Sequence, residues 1–358
     1  MASRRRAATG KPGPAVPEEL APVVEDSSSW PASLDDAACA SENKAGDTTP
    51  AFAGAFQAAF FTTVNIERKH SNEDRVMIHS DAYGPRSLPF HLVGVMDGHD
   101  TADASEFVSK QLPVLTSYHL KERELTVVQA FRTSCAEIEE RLKTQRHPSA
   151  GSCVLGCLVA GRHVWCANLG DCRAVVLSLA ALAEDAGIKQ SPKVMKITWM
   201  SEDQRASTPS ETARIRKAGG TVTDGRVEGL EPSRTLGDFD VKAMVRPGVI
   251  SINPEVRRHD LGPEESQALL ICATDGVWDT LSGQDMCGIV AARKELLQMQ
   301  AAALADVRGT SGDGKAADAY MEVLKTLAED FVTFSVAKGS SDDCTATVAL
   351  LTATPKGS

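Results

Sequence analysis

The 358-residue chain lacks any apolar run of the roughly 18 residues that a membrane-spanning helix needs, so we expect no transmembrane span. It also lacks the apolar core of a signal peptide. Acids at Glu18 and Glu19 soon follow the basic start of the chain, which disfavours organelle import. These absences predict a protein of the cytoplasm, the nucleus or both.

An excess of positive charge and paired cysteine motifs are missing as well. The net charge of −10 argues against nucleic acid or an anionic membrane as a partner, because both require a basic surface. The nine cysteines form no CxxC motif, and most of them lie inside apolar runs. This usage is typical of reduced, buried thiols in an intracellular protein, and it does not favour a zinc site.

The composition of the sequence changes after the first fifty residues. Residues 1–50 are rich in Ala, Pro, Ser and Glu, and they offer few apolar side chains for a core. We therefore predict a disordered N-terminal extension, followed by one folded domain over residues 51–358. Residues 201–240 are polar and glycine-rich, which favours a flap over a surface rather than a core element.

Runs of apolar and β-branched residues alternate with short turns that contain glycine, which is typical of antiparallel strands. Apolar residues at spacings of three and four predict a pair of helices among them, the first running from Ala104 to Leu112 and ending at Pro113. A second pair is predicted near residues 283–306 and 316–335. Strands in runs and helices in pairs indicate an α+β domain with two sheets covered by helices.

Carboxylates stand where several of the predicted buried strands begin or end. They are Asp97, Asp171 and Asp275 after three strands, and the pairs Glu73–Asp74 and Asp342–Asp343 before two others. Clustered carboxylates repel one another unless protons or cations lie between them. Oxygen ligands without His or Cys suit Mg²⁺ or Mn²⁺, and two such ions can lower the pKa of a shared water and direct it at phosphorus.

Each of these positions also has a simpler interpretation. Asp-Gly after a strand is the commonest hairpin signal, and Asp97, Asp224 and Asp275 each precede a glycine. A turn does not require His99 behind the first of these pairs or Asp279 behind the third. The set as a whole therefore favours a site, while any single Asp-Gly pair could still be only a turn.

Ordered motifs after residue 60 resemble the metal-dependent protein serine/threonine phosphatases of the PPM (PP2C-type) family. The motifs are "NEDR", "DGH", "GSCVLGCLV", "NLGDCRAVV", "RIRKAGG", "SRTLGDFD", "ATDGVWDTLS" and "SSDDCTATV". The resemblance implies a four-layer αββα sandwich, in which two antiparallel β-sheets are flanked by pairs of helices. It also implies phosphoprotein substrates and a monomer.

The resemblance implies metal ligands as well. Two Mn²⁺ or Mg²⁺ ions per subunit would be held by Glu73, Asp97, the Gly98 carbonyl, Asp275 and Asp342. A weaker third ion would bind at Asp171 and Asp279 together with Asp275.

The remaining matches imply how the reaction proceeds. Asp74 would orient the water that attacks the phosphorus of phosphoserine or phosphothreonine in line, without a phosphoenzyme. His99 would act as the general acid that protonates the leaving serine or threonine oxygen. Arg234, in the predicted flap, is a weaker candidate for contact with the substrate.

The sequence departs from the family pattern at three places. Lys69 stands where the family carries its phosphate-binding arginine, with Arg68 one residue earlier, and either side chain could contact the phosphate. Asp100 and Thr101 replace two glycines, either as caps of the next helix or as added charge near the site. Asp343 takes the place of an asparagine.

Two other functions compete with an active phosphatase. A pseudophosphatase would use the same fold as a binding scaffold, which the changes at Lys69 and Asp100 favour but the retained metal acids disfavour. A nuclease or another two-metal hydrolase is disfavoured by the acidic charge of the chain. We therefore predict a metal-dependent phosphoprotein phosphatase.

Overall fold

The computed structural model describes residues 57–64, 71–81, 89–144, 147–180, 195–262, 265, 267–294, 297 and 315–352. The predicted disordered extension at residues 1–50 lies outside these ranges. The two candidate phosphate contacts, Arg68 and Lys69, also lie outside them.

Over the described ranges, eleven strands form two antiparallel sheets. The five-stranded sheet has the order β1 (Gln57–Thr63), β11 (Cys344–Thr352), β10 (Gln267–Ala273), β6 (Arg173–Ser178) and β7 (Ile197–Trp199). The six-stranded sheet has the order β2 (Arg75–Asp81), β3 (Phe90–His99), β4 (Gly151–Ala160), β5 (His163–Leu169) and β9 (Glu255–Asp260), with the short β8 (Leu236–Gly237) beside β4.

Helices connect these strands. They are α1 (Asp103–Lys121), α2 (Val127–Leu142), α3 (Pro209–Lys217), α4 (Phe239–Met244), α5 (Asp275–Trp278), α6 (Gly283–Ala292) and α7 (Lys315–Ala337). Helix α6 ends earlier than the predicted helix near 283–306, most of whose remainder lies outside the described residues. Within the described residues, no helix is both long and apolar enough to cross a bilayer.

Three apolar clusters hold four layers together. The middle cluster joins the facing sides of the two sheets, with Val95 and Leu155 on one and Val176 and Leu270 on the other. One outer cluster packs α1 and α2 on the six-stranded sheet. The other packs α6 and α7 on the five-stranded sheet. Strand β4 is buried along its whole length because it is covered on both faces, which explains its unbroken apolar sequence. The predicted αββα sandwich is confirmed.

Helix α1 does not end at Pro113, so that prediction is wrong. Proline lacks the N–H that would bond to the preceding turn, at a cost of about 3 kcal/mol or more in a helix interior. Leu112, Leu115 and Leu120 are nevertheless buried on α1, and each stabilises the fold by about 1.5–3 kcal/mol. The packed apolar face therefore outweighs the missing hydrogen bond, and the helix continues to Lys121.

The segment predicted to be a flap contains α3 and several tight turns. Its apolar residues Ala206, Ile215 and Val227 form a small cluster with Val249 and Ile250 beyond residue 240. This cluster is separate from the three that hold the sandwich together. The role of residues 201–240 as a flap over a surface stays a prediction.

Candidate metal centre

Carboxylates from both sheets meet at one end of the sandwich. Asp97 lies near the end of β3 and Asp171 follows β5 in one sheet, whereas Asp275 follows β10 in the other. One oxygen from each of these three side chains lies within 4.8 Å of the other two. Three of the predicted strand-end acids thus form one group of oxygen atoms that could hold a cation.

The electrostatics of this group favour a cation over empty space. Burial raises the pKa of Asp97 well above its usual value, and repulsion by Asp275, Asp74 and Asp342 raises it further. Burial followed by repulsion from Asp171 does the same to the pKa of Asp275. Among the described residues, Asp97 has no ion pair that would offset this repulsion. Hard divalent cations with oxygen ligands fit such a donor set.

Asp342 lies close enough to contribute its charge to both Asp97 and Asp275. One of its carboxylate oxygens, Oδ1, accepts a hydrogen bond of 2.9 Å from the backbone N–H of Asp343. The neighbouring Asp343 Oδ2 accepts a hydrogen bond of 2.8 Å from the backbone N–H of Glu73. Asp343 therefore ties the loop before β11 to the loop before β2, a role that the amide oxygen of an asparagine could also fill.

Two glycines let these loops approach the strands. A Cβ on Gly98 would lie 2.5 Å from the Glu73 carbonyl oxygen. A Cβ on Gly276 would lie 2.0 Å from the carbonyl oxygen of Asp343. Ser105 of α1 strengthens the first contact, because its hydroxyl donates a hydrogen bond of 2.5 Å to the Glu73 carbonyl. The glycines that suggested turns in the sequence are needed here for close backbone approach.

Asp74 is buried beside the same group. The Thr274 hydroxyl donates a hydrogen bond of 3.0 Å to its Oδ2. Burial raises the pKa of Asp74 to about 7, with repulsion from Asp343 and Asp342 adding to the effect and hydrogen bonds opposing it. Asp74 can therefore hold a proton near neutral pH next to the carboxylates.

His99 at the end of β3 has a partner that the sequence did not reveal. Its Nε2 lies 2.7 Å from Oδ1 of Asp238, a residue only 1% exposed. Burial acts to raise the pKa of Asp238, but His99 and other neighbours lower it below its usual value. Asp238 also adopts a left-handed φ of 52°. Its position 139 residues further along the chain left no sequence signal for the contact with His99.

A cleft of about 400 Å³ opens beside His99 and Asp238. Its other lining residues come from the loop after β3, from the loop before β4, from the predicted flap and from α4: Asp100, Ser149, Arg226, Glu228, Gly229, Leu230, Glu231, Pro232, Asp240, Val241 and Met244. Asp100 therefore adds charge at the cleft, with a left-handed φ of 67°. Thr101 instead accepts a hydrogen bond of 3.3 Å from the Asp103 N–H, whereas the N-cap of α1 is Ala102, without a side-chain cap.

Arg234, the predicted substrate contact in the flap, is held by other groups. Its Nη2 lies 2.6 Å from Oε1 of the buried Glu211, and its Nη1 donates to the carbonyl of Asn253 at 3.0 Å. Of the described arginines, Arg226 lines the cleft and Arg234 does not. These contacts indicate that Arg234 stabilises the segment, and its contact with substrate stays a prediction.

Arg205 was missed by the sequence analysis altogether. It follows β7, and its guanidinium lies among Asp171, Asp275 and Asp279. Asp171 and Asp279 are the residues expected to hold a third ion. A lone arginine in a polar segment gives no sequence signal for such a position.

The fold and the site together define a class of protein. In this class a two-sheet sandwich carries, at one end, a cluster of carboxylates suited to divalent cations. Residues 60–343 match the family described as Protein phosphatase 2C, and the chain belongs to that family of metal-dependent protein phosphatases.

Curated relatives of the chain carry phosphatase names. The chain is 36% identical over 215 residues to "Probable protein phosphatase 1N" of Homo sapiens, a match that covers 57% of this chain and 46% of the human protein. It is 31% identical over 245 residues to "Probable protein phosphatase 2C 61" of Arabidopsis thaliana, covering 62% of this chain and 69% of that protein. The match thus spans about half the length of the human and mouse relatives, at 46% and 48%.

Solved structures share the fold at low identity. "Structure of a C.elegans sex determining protein" matches with a TM-score of 0.62 and 20% identity, covering 84% of this chain and 66% of that chain. "Crystal structure of a phosphatase from a pathogenic strain Toxoplasma gondii" matches with a TM-score of 0.56 and 18% identity, covering 82% of this chain and 92% of that chain. At these identities the likeness establishes the architecture alone.

Proposed function

We propose that the chain is an active serine/threonine phosphatase that hydrolyses phosphoserine and phosphothreonine in proteins with a dinuclear Mn²⁺ or Mg²⁺ centre. One observation carries the proposal. Oxygens of Asp97, Asp171 and Asp275 lie within 4.8 Å of one another, and Asp97 has no basic partner among the described residues. Arg205 contacts Asp171 and Asp275 but not Asp97, so a bound cation would still offset the repulsion at Asp97, and family membership supports phosphatase chemistry at such a centre.

The proposed ligands of the two ions are Glu73, Asp97, the Gly98 carbonyl, Asp275 and Asp342. When bound, the ions would supply Lewis acidity that lowers the pKa of water and offsets the charge of the phosphate. The chain's own part is to bring these oxygens together from both sheets. The close approach at Gly98 and Gly276 and the Asp343 hydrogen bond to Glu73 support this assignment.

Asp74 would orient the attacking water. Its burial, its hydrogen bond from Thr274 and its raised pKa of about 7 suit a group that accepts a proton next to the reaction centre. Arg68 or Lys69 would contact the phosphate, a proposal that rests on the family pattern alone.

His99 would protonate the leaving oxygen. As the bond between phosphorus and the serine or threonine oxygen breaks, a proton from the imidazole passes to that oxygen, which prevents an alkoxide from leaving. Asp238 would position the ring, because its Oδ1 holds Nε2 at 2.7 Å. The cleft beside both residues would accept the flanking residues of the phosphoprotein. The same proposal places the enzyme in the cytoplasm or nucleus as a monomer.

The test measures hydrolysis of p-nitrophenyl phosphate and of a phosphothreonine peptide with EDTA, Mg²⁺ or Mn²⁺, for the wild type and for Asp275→Asn. We expect turnover that depends on the added cation and disappears in Asp275→Asn. Folded wild-type protein that shows no turnover under any of these conditions would contradict the proposal. That result would favour a binding scaffold with the same fold.

A further inference from the structure

The position expected to hold a third ion already contains a positive charge. Arg205 follows β7, and its backbone forms an isolated bridge with Pro232 in the predicted flap. The next residue continues this pairing, because the Ala206 N–H donates to the Glu231 carbonyl at 2.8 Å. These two backbone contacts fix Arg205 within the predicted flap, beside the carboxylates.

From this backbone the guanidinium reaches five carboxylates, of which Asp203 is the most distant, with its Oδ2 3.8 Å from Nε. Its Nε lies 3.0 Å from Asp171 Oδ2, and its Nη2 lies 2.9 Å from Asp279 Oδ1 and 3.4 Å from Asp275 Oδ2. Its Nη1 lies 3.3 Å from Glu231 Oε1. The side chain is only 18% exposed, so these contacts form largely out of solvent.

Neighbouring contacts hold the acids in place. The other oxygen of Asp171, Oδ1, accepts a 3.3 Å hydrogen bond from the Cys153 thiol. Asp203, two residues before Arg205, forms a two-pronged ion pair with Arg173 at 2.5 and 2.6 Å. Both arrangements are built from buried or partly buried side chains, so the group around Arg205 is an ordered network rather than a chance surface contact.

A third divalent cation does not fit this arrangement. It would have to share the carboxylates of Asp171, Asp275 and Asp279 with Arg205, and it would then lie close to a guanidinium that is always charged. Like charges at that distance in a partly buried site repel strongly. The residues present at Asp171 and Asp279 therefore fit a guanidinium rather than a third ion.

We infer that Arg205 replaces the third ion: its guanidinium neutralises Asp171 and Asp279, so the chain binds two divalent ions and no third. The inference rests on the proposed dinuclear centre. Because the same guanidinium also contacts Asp275, it links the predicted flap to a proposed metal ligand through one side chain.

The test counts bound Mn²⁺. Full-length wild type, Arg205→Lys, Arg205→Ala and Arg205→Gln are titrated with Mn²⁺, and free Mn²⁺ is followed by its electron paramagnetic resonance signal. Wild type and Arg205→Lys should bind two ions up to millimolar Mn²⁺. Arg205→Ala should bind one more ion, because Asp171, Asp275 and Asp279 then lose the guanidinium that contacts all three. Arg205→Gln carries the same prediction and keeps most of the side-chain volume, which serves where Arg205→Ala does not fold.

Two further variants serve as controls for the number of bound Mn²⁺ ions. Arg293→Ala removes an arginine paired with Asp330 between α6 and α7, and it should still bind two ions. Arg205→Ala combined with Asp279→Asn should lose the extra ion again. A third ion in wild type, or no extra ion in either uncharged variant, would overturn the inference. The number bound by wild type tests the proposed function separately, since a wild type that binds no Mn²⁺ contradicts the dinuclear centre itself.

Discussion

Two groups of carboxylates lie side by side at the end of this sandwich, and they differ in what balances their charge. The inner carboxylates are Asp74, Asp97 and Asp342. The outer carboxylates are Asp171 and Asp279, which share the guanidinium of Arg205. Asp275 lies between the groups: repulsion raises its pKa, whereas Arg205 lowers it.

The comparison shows that clustered acids can have two different roles in a protein. For Asp97, burial raises the pKa and repulsion from Asp275, Asp74, Asp342 and Asp171 raises it further, with no ion pair to a described basic residue to oppose the rise. For Asp279, burial raises the pKa while Arg205 opposes that rise. Acids close together thus indicate a cation site only where the protein itself supplies no counter-charge.

The largest expected effect comes from removing an inner charge. Asp97→Asn should lower kcat/KM for a phosphothreonine peptide by more than about 100-fold, because even residues that only support metal ligands cost about 10–100-fold in affinity or activity. The measurement is steady-state kinetics at saturating Mn²⁺. Activity within a few-fold of wild type would show that the inner group does not hold the catalytic ions.

A smaller loss is expected from Asp238→Asn. The charge of Asp238 is balanced by His99, a side chain that can itself donate a proton. Hydrolysis of the phosphothreonine peptide should fall about 10-fold to 100-fold, part of the general-acid contribution. Hydrolysis of p-nitrophenyl phosphate should change little, because p-nitrophenolate leaves without a proton. Equal losses with both substrates would mean that Asp238 only supports the fold.

The inner group should also make the metal-free protein sensitive to pH. The pKa of Asp74 rises from 3.8 to about 7 on folding, so between these values the folded state binds more protons than the unfolded state. The free energy of unfolding should therefore fall by about 2 kcal/mol as the pH rises from about 5 to 7.5. Urea unfolding in EDTA measures this change.

Saturating Mn²⁺ provides the control for that pH dependence. Bound cations would replace the protons on the inner carboxylates, so the fall in the free energy of unfolding should shrink or disappear. A metal-free protein whose stability increases over the same pH range would contradict the raised pKa values of the inner group.

The smallest effect is expected at the outer group. Asp279→Asn should change kcat/KM by less than about 3-fold, because Arg205 keeps Asp171 and Asp275 as partners after the charge of Asp279 is removed. The kinetics are measured beside those of Asp97→Asn under the same conditions. Losses of similar size in both variants would remove the distinction between the two groups.

The sequence analysis predicted the layers and the inner carboxylates because local patterns carry both. Unbroken apolar runs such as β4 reflect strands covered on two faces, and strand-end acids recur where those runs stop. The contacts of Asp238 and Arg205 could not be predicted in this way. The pair of Asp238 with His99 joins residues 139 apart and the pair of Arg205 with Asp171 joins residues 34 apart, and both depend on loop geometry that has no periodic signal.

Pro113 shows the opposite case, in which a clear local signal led to a wrong prediction. Its local preference is clear, but the burial of Leu112, Leu115 and Leu120 decides the course of α1. Local rules fail here because the tertiary packing of a helix face contributes more free energy than one missing hydrogen bond.

One measurement tests the difference between the two groups most directly: anomalous diffraction from crystals of the full chain soaked in Mn²⁺. The account predicts Mn²⁺ peaks among the oxygens of Asp97, Asp275 and Asp342. It also predicts the Arg205 guanidinium, without a peak, between Asp171 and Asp279. A peak at Asp279 with Arg205 displaced, or no peak at Asp97, would contradict it.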